Sequence, residues 1–221
     1  MKVPVEEVRG PLVAALAKNS PRILLRAPTG SGKSTAVPLM LQSSGNVEGR
    51  ILVVQPRRMA ARLLATHVAG LAGTKVGQGV GYAVRFESRY RDDTGVVYLT
   101  DGVLQRWLQE NPKLPGIGAV IFDEFHERRL PSDLGLARVI DLQEEERPDL
   151  AVMVMSATLD AGPLEDYLAL RGHGDGQGVT YLEAGGRMFP VEVSHRAEPL
   201  PRRGNRGGLE AVPVWERVAE A

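Results

Sequence analysis

The chain has 221 residues, of which 43% are apolar, and its 27 lysines and arginines balance its 27 aspartates and glutamates. This length and composition fit one globular domain with a tail, and they exclude a disordered or fibrous chain. Because the charges balance, a surface for a polyanionic partner has to be a local patch. The sequence contains no cysteine, which excludes disulfides and thiolate metal sites.

The amino terminus, MKVPVEEVRG, contains acidic residues and proline and therefore lacks the apolar core of a signal peptide. No stretch of the sequence approaches the length of a membrane span. A chain without cysteine also fits a reducing compartment. These features predict a cytoplasmic protein that has no membrane partner.

Five short apolar runs predict buried strands, and helical patterns lie between them. The runs are RILLR at 22–26, ILVVQ at 51–55, GVVYL at 95–99, AVIF at 119–122 and AVMVM at 151–155. This alternation predicts an α/β fold in which helices cover both faces of a mostly parallel sheet. Such sheets bind ligands at the carboxyl ends of their strands, so chemistry is expected just after each run.

Two of the intervening helices carry apolar residues that are spaced to lie near one face. The first set is Met59, Leu63, Leu64, Val68 and Leu71, and the second is Leu134, Leu136, Val139, Ile140 and Leu142. Both sets are predicted to face the core.

The composition of the sequence changes toward its end. RGHGDGQG at 171–178 has the composition of a flexible loop, and PLPRRGNRGG at 199–208 that of a linker. The final residues, VWERVAEA, have the pattern of the first turns of a helix. We therefore expect one domain over 1–195, followed over 196–221 by a linker and the start of a truncated second domain.

The segment APTGSGKST at 27–35 follows the first run and matches a phosphate-binding loop, except that alanine replaces the first glycine. Gly30 and Gly32 allow backbone N–H groups to turn toward phosphate oxygens. Lys33 is expected to reach the terminal phosphates, and Ser34 to offer its hydroxyl to Mg²⁺. The predicted nucleotide-binding residues are Thr29, Gly30, Ser31, Gly32, Lys33, Ser34 and Thr35. A glycine-rich turn that binds nothing is the disfavoured alternative.

The segment AVIFDEFHER at 119–128 places two carboxylates at the end of an apolar run. Asp123 is predicted to hold Mg²⁺. Glu124 is predicted to act in catalysis beside Lys33 by orienting and deprotonating the attacking water. On its own, such a charged pair usually marks the solvated start of a helix. It indicates a catalytic site here because the sequence also contains a phosphate-binding loop.

These motifs, together with five others in order, resemble the superfamily 2 helicases of the DEAH-box group. The others are VVQPRRMAAR at 53–62, VGYAVRFES at 80–88, YLTDGVLQRWL at 98–108, MSATLD at 155–160 and GRMFPVEV at 186–193. The resemblance covers about residues 23–195. Phe125 stands where the family name has alanine.

The resemblance implies a helicase motor that uses ATP and Mg²⁺ and acts on single-stranded or duplex RNA. It also implies two RecA-like domains, of which this sequence contains the first, while the second supplies arginine fingers. His126, Ser156 and Thr158 would couple the phosphate state to domain movement. For Ser156 and Thr158, the alternative is a capped turn after a strand, a role for which these residues would suffice.

The same resemblance implies RNA contacts at Arg57, Arg85, Thr100 and Asp101. A cation or a hydroxyl contacts phosphates without reading bases, so binding should be largely independent of sequence. For any single arginine, a solvated surface position is an equally good interpretation. His67 lies where the family often carries an arginine that stacks on the nucleotide base. A half-buried helix position would also explain it.

Two other functions stay open at this point. The first is a DNA translocase that uses the same chemistry, which differs from an RNA enzyme in its response to the 2′-OH. The second is a nucleotide-dependent binding module that has lost its motor. Such a module would be expected to carry a damaged Lys33 or Glu124, and both residues are intact.

Overall fold

The computed structural model describes residues 3–158, 161–170 and 178–185. Its helices are α1 (Arg9–Leu16), α2 (Lys33–Ser43), α3 (Arg58–Leu71), α4 (Asp101–Glu110), α5 (Leu130–Glu145) and α6 (Ala161–Leu170). Its strands are β1 (Arg22–Arg26), β2 (Arg50–Gln55), β3 (Val80–Val84), β4 (Glu87–Arg89), β5 (Val96–Thr100), β6 (Ile117–Phe122), β7 (Ala151–Ser156) and β8 (Thr180–Glu183). Short 3₁₀ turns lie at Pro4–Val8 and Phe125–Glu127.

The strands form one eight-stranded sheet in the order β4-β3-β5-β2-β6-β7-β1-β8. Every neighbouring pair is parallel except the edge pair of β3 and β4. Parallel strands need crossover connections, and helices supply most of them here. The predicted α/β fold with a mostly parallel sheet is therefore confirmed.

Successive residues of each central strand point to opposite faces of the sheet, as the two-residue period of a strand requires. In β1, Ile23 and Leu25 pack into a core with residues of α1, α2 and α3, whereas Leu24 packs into a second core with residues of α4, α5 and α6. Each face of the sheet is thus covered by three helices within the described residues. Apolar runs without alternation are the sequence pattern of such a doubly covered sheet.

All five apolar runs are strands, so those predictions are confirmed. The structure adds β3, β4 and β8, which we did not predict as strands. The strand β4 has the sequence ESR and is largely exposed, so it carries no apolar signal. It forms only because it pairs with β3 at the sheet edge.

The predicted core face of α3 is wrong at three positions. Met59, Leu63 and Leu71 are 67%, 64% and 63% exposed, whereas Val68 is buried and Leu64 is partly buried. The residues of α3 that the sheet buries are Ala61, Ala65, Val68 and Ala69. Small side chains allow the helix to approach the sheet closely, so the larger apolar residues lie on its outer side.

On α5 the prediction is confirmed for Leu136, Val139, Ile140 and Leu142, which are buried. Leu134 is 51% exposed, so it does not belong to that face.

The chain separates into two compact units, Met1–Arg187 and Met188–Ala221, and all described residues belong to the first. The predicted domain end near residue 195 and the predicted linker over 196–221 lie outside the described residues. Among those residues, the helices are too short or too polar to cross a membrane.

Candidate nucleotide site and adjoining arginine cavity

The loop between β1 and α2 is shaped by two glycines with left-handed backbone angles. Gly30 has a φ of 79° and Gly32 a φ of 90°, values that L-residues rarely adopt. Helix α2 then begins at Lys33, and no side chain caps its amino terminus. The loop therefore presents backbone N–H groups and the positive end of a helix dipole, the combination that binds phosphates.

The amino-terminal segment of the chain braces this loop. The N–H of Val5 donates to the carbonyl of Ser31 across 3.1 Å, and the Val5 side chain is fully buried. A Cβ placed on Gly32 would lie 2.9 Å from the Cβ of Val3. The conformation of Gly32 and its contact with Val3 thus both require glycine. This brace could not be predicted, because Val3 and Val5 have no motif around them.

The other loop residues occupy positions consistent with an anion site. Ser31 is buried, and its hydroxyl has no hydrogen-bond partner among the residues that the structure describes. The Thr35 hydroxyl donates to the carbonyl of Gly32 across 3.1 Å, which ties the first turn of α2 to the loop. Thr29 lies exposed on the loop. The predicted residues therefore form one continuous loop and the first turn of α2.

Lys33 is only 3% exposed, and its ammonium nitrogen lies 3.1 Å from Oε1 of Glu124. A buried cation requires a counter-charge, and Glu124 provides it. Glu124 itself has left-handed backbone angles, with φ at 51° and ψ at 37°. For a residue other than glycine this conformation costs about 1 to 3 kcal/mol, a kind of strain that clusters at functional sites.

Asp123 is 4% exposed and lies at the end of β6. Burial raises the pKa of this carboxyl, and hydrogen bonds from Ser34 and Gln55 oppose that shift, as does the charge of Lys33. The amide nitrogen of Gln55 donates to Oδ2 across 2.6 Å, and the N–H of Glu124 donates to Oδ1 across 2.9 Å. These bonds fix the carboxylate, with the Ser34 hydroxyl beside it.

Two residues of this network were missing from our predictions. Gln55 is buried and positions Asp123, and Tyr98 donates from its phenol to the carbonyl of Ser34 across 2.7 Å. Burial, reinforced by the charge of Asp123, raises the pKa of Tyr98, so its phenol stays a hydrogen-bond donor. Gln55 ends a buried run, and a polar residue at that point was an available signal. Tyr98 lies inside a run and resembled an ordinary strand residue.

The predicted coupling residues lie on both sides of this network. Nδ1 of His126 lies 3.4 Å from Oε2 of Glu124, within the range of an ion pair but without hydrogen-bond geometry. The carbonyl of Ser156 accepts the N–H of Ala27 across 2.9 Å, so the end of β7 is joined to the phosphate loop. The Ser156 hydroxyl donates to the carbonyl of Thr158 across 3.2 Å, whereas a capping hydroxyl would accept a backbone N–H, so this contact does not test the capping interpretation.

A second feature, here called the arginine cavity, lies beside the carboxyl ends of β2 and β5. Its volume is about 560 Å³, and its lining includes Arg58, Arg85, Phe86, Thr100, Asp101, Arg106 and Arg129. Three of the four predicted RNA contacts, Arg85, Thr100 and Asp101, are therefore brought together. Arg57 lies outside this lining and pairs with Glu127 across 3.1 Å.

The polar groups of the arginine cavity are partly engaged with one another. The Asp101 carboxylate is buried, accepts the Ser132 hydroxyl across 2.9 Å and lies 3.4 Å from Arg129. The Asp101 carboxylate is therefore engaged by other side chains of the chain itself. Arg58 donates to the carbonyl of Arg85 across 3.1 Å, so Arg58 and the β3–β4 turn are held together.

The nucleotide site and the arginine cavity are joined by consecutive residues. Gln55 bonds Asp123, Pro56 lines the arginine cavity, and Arg57 pairs with Glu127. The end of β2 thus contacts both the carboxylate network and the cavity.

The fold is RecA-like, and a phosphate loop that meets paired carboxylates at one sheet edge is the arrangement of P-loop nucleotide hydrolases. A model of the DEAD/DEAH box helicase family matches residues 12–167, and the chain belongs to that family.

The chain is 42% identical over 218 residues to the ATP-dependent RNA helicase HrpB of Escherichia coli, which covers 99% of this chain and 26% of HrpB. It is 38% identical over 203 residues to the human ATP-dependent RNA helicase DHX33, covering 89% of this chain and 27% of that protein. A crystal structure of the Escherichia coli DEAH/RHA helicase HrpB matches with a TM-score of 0.80 at 41% identity, over 92% of this chain and 24% of that one. The chain therefore spans about a quarter of the length of these relatives.

Proposed function

We propose that this chain is the first motor domain of an RNA helicase, which binds ATP with Mg²⁺ and couples its hydrolysis to movement on RNA. The observation that carries the proposal is the 3.1 Å contact between Lys33 and Glu124, which brings the phosphate loop and the carboxylate pair into one site. Family membership supports the use of ATP. The names of HrpB and DHX33 support RNA as the nucleic acid.

In this proposal the nucleotide phosphates bind between Thr29 and Thr35. The left-handed Gly30 and Gly32 point backbone donors inward, and Lys33 places a cation at the terminal phosphate. Because Lys33 is already buried, the phosphate replaces Glu124 as its counter-charge. Glu124 is then free to orient and deprotonate the attacking water.

The residues present fit a magnesium ion. Mg²⁺ prefers oxygen ligands and is usually bound by one or two protein groups together with substrate phosphates. The Ser34 hydroxyl and the Asp123 carboxylate are hydrogen-bonded to each other, and Gln55 holds the carboxylate in place. Ser34 and Asp123 would hold the ion, which supplies charge neutralisation at the phosphate oxygens.

The proposal places His67 in contact with the nucleotide base. Its side chain is exposed on α3, which argues against the half-buried interpretation of this residue. An exposed imidazole is free to stack on a base. We therefore assign His67 the stacking role that an arginine often has in the family.

The proposal includes a second RecA-like domain, because related helicases place the nucleotide between two such domains. In it, residues 1–195 are the first motor domain and 196–221 lead toward the second. Arginine fingers supplied by that domain would be worth about a thousandfold to a hundred-thousandfold in rate. We accordingly expect the 221-residue chain to bind nucleotide but to hydrolyse it slowly.

The arginine cavity supports a nucleic-acid partner. Its lining includes four arginines and one carboxylate, Asp101, which lies 3.4 Å from Arg129. Cations on a surface of this kind attract a phosphate backbone without regard to sequence.

His126, Ser156 and Thr158 are proposed to couple the phosphate state to movement, through their contacts with Glu124 and the loop.

The test is a steady-state ATPase assay on the 221-residue chain and on a longer protein that includes a second RecA-like domain. Each is measured alone, with single-stranded RNA and with DNA of the same sequence, beside a Lys33→Ala variant that reports contaminating activity. We expect RNA to stimulate the longer protein and the chain alone to be slow. Equal stimulation by DNA would identify a DNA translocase. Nucleotide binding without turnover by the longer protein would identify a binding module.

A further inference from the structure

The turn between β3 and β4 is a two-residue hairpin whose tip is Arg85 and Phe86. Val84 pairs with Glu87 across the turn, which fixes its register. Arg58 of α3 donates to the carbonyl of Arg85 across 3.1 Å. Tyr82 donates to the Glu87 carboxylate, so the base of the hairpin is tied as well. The turn is thus held in position by the strand before it and by a helix.

Phe86 has two properties that folding alone does not explain. Its side chain is 86% exposed, the highest exposure of any large apolar residue in the described part of the chain. Its φ is +69°, a left-handed angle that is unusual for a bulky residue and costs conformational energy. The fold gains almost no burial from this ring, so neither packing nor backbone preference accounts for phenylalanine here. Strain of this kind concentrates at functional sites.

The ring lies beside positively charged side chains. The Arg85 guanidinium lies 4.7 Å from the centre of the Phe86 ring, and both residues line the arginine cavity. Arg58, Arg106 and Arg129 line the same cavity. An exposed aromatic ring among cations suits a ligand that has both flat apolar faces and negative charge. Single-stranded nucleic acid has both, since its bases stack on aromatic rings while its phosphates pair with cations.

We infer that Phe86 is a stacking platform for one base of a single-stranded RNA whose phosphates lie along the arginine cavity. This inference rests on the proposed function, because it takes RNA as the partner, and it adds a base contact to a surface otherwise suited to phosphates. Every base has a flat face, so the contact would be tolerant of sequence. In this inference, the left-handed backbone angle of Phe86 turns the ring outward from a hairpin that its contacts hold in place.

The experiment measures the affinity of the 221-residue chain for a short fluorescein-labelled oligouridine by anisotropy over a series of salt concentrations. Phe86→Ala removes the ring, Phe86→Trp retains an aromatic face, and Phe86→Asn removes the ring while suiting the left-handed backbone. Arg85→Ala is the comparison that removes a charge and leaves the ring in place. Binding of an oligomer with abasic sites is measured beside it.

We expect Phe86→Ala and Phe86→Asn to weaken binding by about tenfold, the size of one lost stacking contact. Phe86→Trp should bind like the unmodified chain. The salt dependence should be unchanged by these substitutions but reduced by Arg85→Ala, which removes a phosphate contact. The abasic oligomer should bind the unmodified chain and Phe86→Ala equally. Nucleotide affinity and thermal stability, measured on each variant, should show that the fold and the phosphate loop are intact.

Equal affinity of the unmodified chain and Phe86→Ala for the oligouridine would overturn the inference while leaving RNA binding in place. A loss in Phe86→Ala that persisted with the abasic oligomer would also overturn it, since the effect would not then be stacking. A chain that binds nucleotide but no RNA would instead remove the proposed RNA function, and this inference with it. A protein partner for Phe86 would appear as equal RNA affinities in all three Phe86 variants.

Discussion

The ammonium of Lys33 lies 3.1 Å from Oε1 of Glu124, although β7 separates β1 from β6 in the sheet. The long lysine side chain spans this gap and joins the phosphate loop to the Asp123 and Glu124 pair. In the proposed function, a phosphate that binds Lys33 would displace Glu124 and free its carboxylate to act as the base. Nucleotide binding and activation of the base would then be linked through this one ion pair.

Glu124→Gln should abolish turnover in a protein with both motor domains and should raise nucleotide affinity. The substitution removes a general base, a loss of about a hundredfold to ten-thousandfold in rate. It also removes the carboxylate that competes with phosphate for Lys33. ATPase assays and calorimetry measure the two effects. Asp123→Asn tests the other carboxylate and should weaken the magnesium-dependent part of binding. Normal turnover in both variants would refute the assignment of these carboxylates.

Gly32→Ala should disrupt nucleotide binding and lower the melting temperature. The added Cβ would meet the Val3 side chain at 2.9 Å, and the φ of 90° is strained for alanine. Gly10→Ala is the matched control, because a Cβ there meets nothing within 4 Å and Gly10 lies in α1. Alanine in a helix is favoured over glycine by about 1 kcal/mol, so this control should be neutral or stabilising. Nucleotide binding by Gly32→Ala at the unmodified affinity would contradict the described brace.

Phe125→Ala, which restores the residue of the family name, should destabilise this chain by about 3 to 5 kcal/mol. Phe125 is 4% exposed and packs edge-on against Phe122, with ring centres 6.3 Å apart. Removing the ring leaves a cavity in the core on the α4–α6 side of the sheet. Urea unfolding measures the loss. Phe86→Ala makes the same chemical change at an exposed site and should lie within about 0.5 kcal/mol of the unmodified chain. Similar losses for both would show that Phe125 contributes little packing.

The stability difference between the unmodified chain and Asp101→Asn should depend on pH. Burial raises the pKa of Asp101, although Ser132 and Arg129 oppose the shift. A raised pKa means that the folded state binds the proton more tightly than the unfolded state does. Protonation of Asp101 therefore contributes stability that is fully present below the unfolded pKa of about 3.9 and is lost as the pH rises through the folded pKa. Lowering the pH from 7 should therefore shift the difference in favour of the unmodified chain. Urea unfolding at several pH values tests this, and a shift toward Asp101→Asn would show that Arg129 dominates.

The parts of the fold that could be predicted share a strong local signal. β1, β2, β6 and β7 are apolar because the sheet is covered on both faces, and the loop residues from Gly30 to Lys33 follow a spacing that phosphate chemistry imposes. The meeting of Lys33 with Glu124 follows from the rule that parallel strands place their carboxyl ends at one edge.

The parts that could not be predicted depend on tertiary contacts. The periodicity of α3 placed Met59 and Leu63 inward, but the sheet accepts the smaller alanine face. The brace by Val5 consists of one backbone hydrogen bond, which leaves no trace in side-chain pattern. Phe86 resembled part of a motif, and only its exposure and backbone angle set it apart.

The most direct test of the nucleotide site is calorimetric titration of ATP with Mg²⁺ into the 221-residue chain and into Lys33→Ala. Lys75→Ala, which removes the same charge from an exposed residue, is the control. The unmodified chain and Lys75→Ala should bind one nucleotide with equal affinity, and Lys33→Ala should lose most of that affinity while remaining folded by circular dichroism. Equal binding by all three proteins would contradict the assignment of the loop at 27–35 as the phosphate site, and with it the account of this domain as a nucleotide-driven motor.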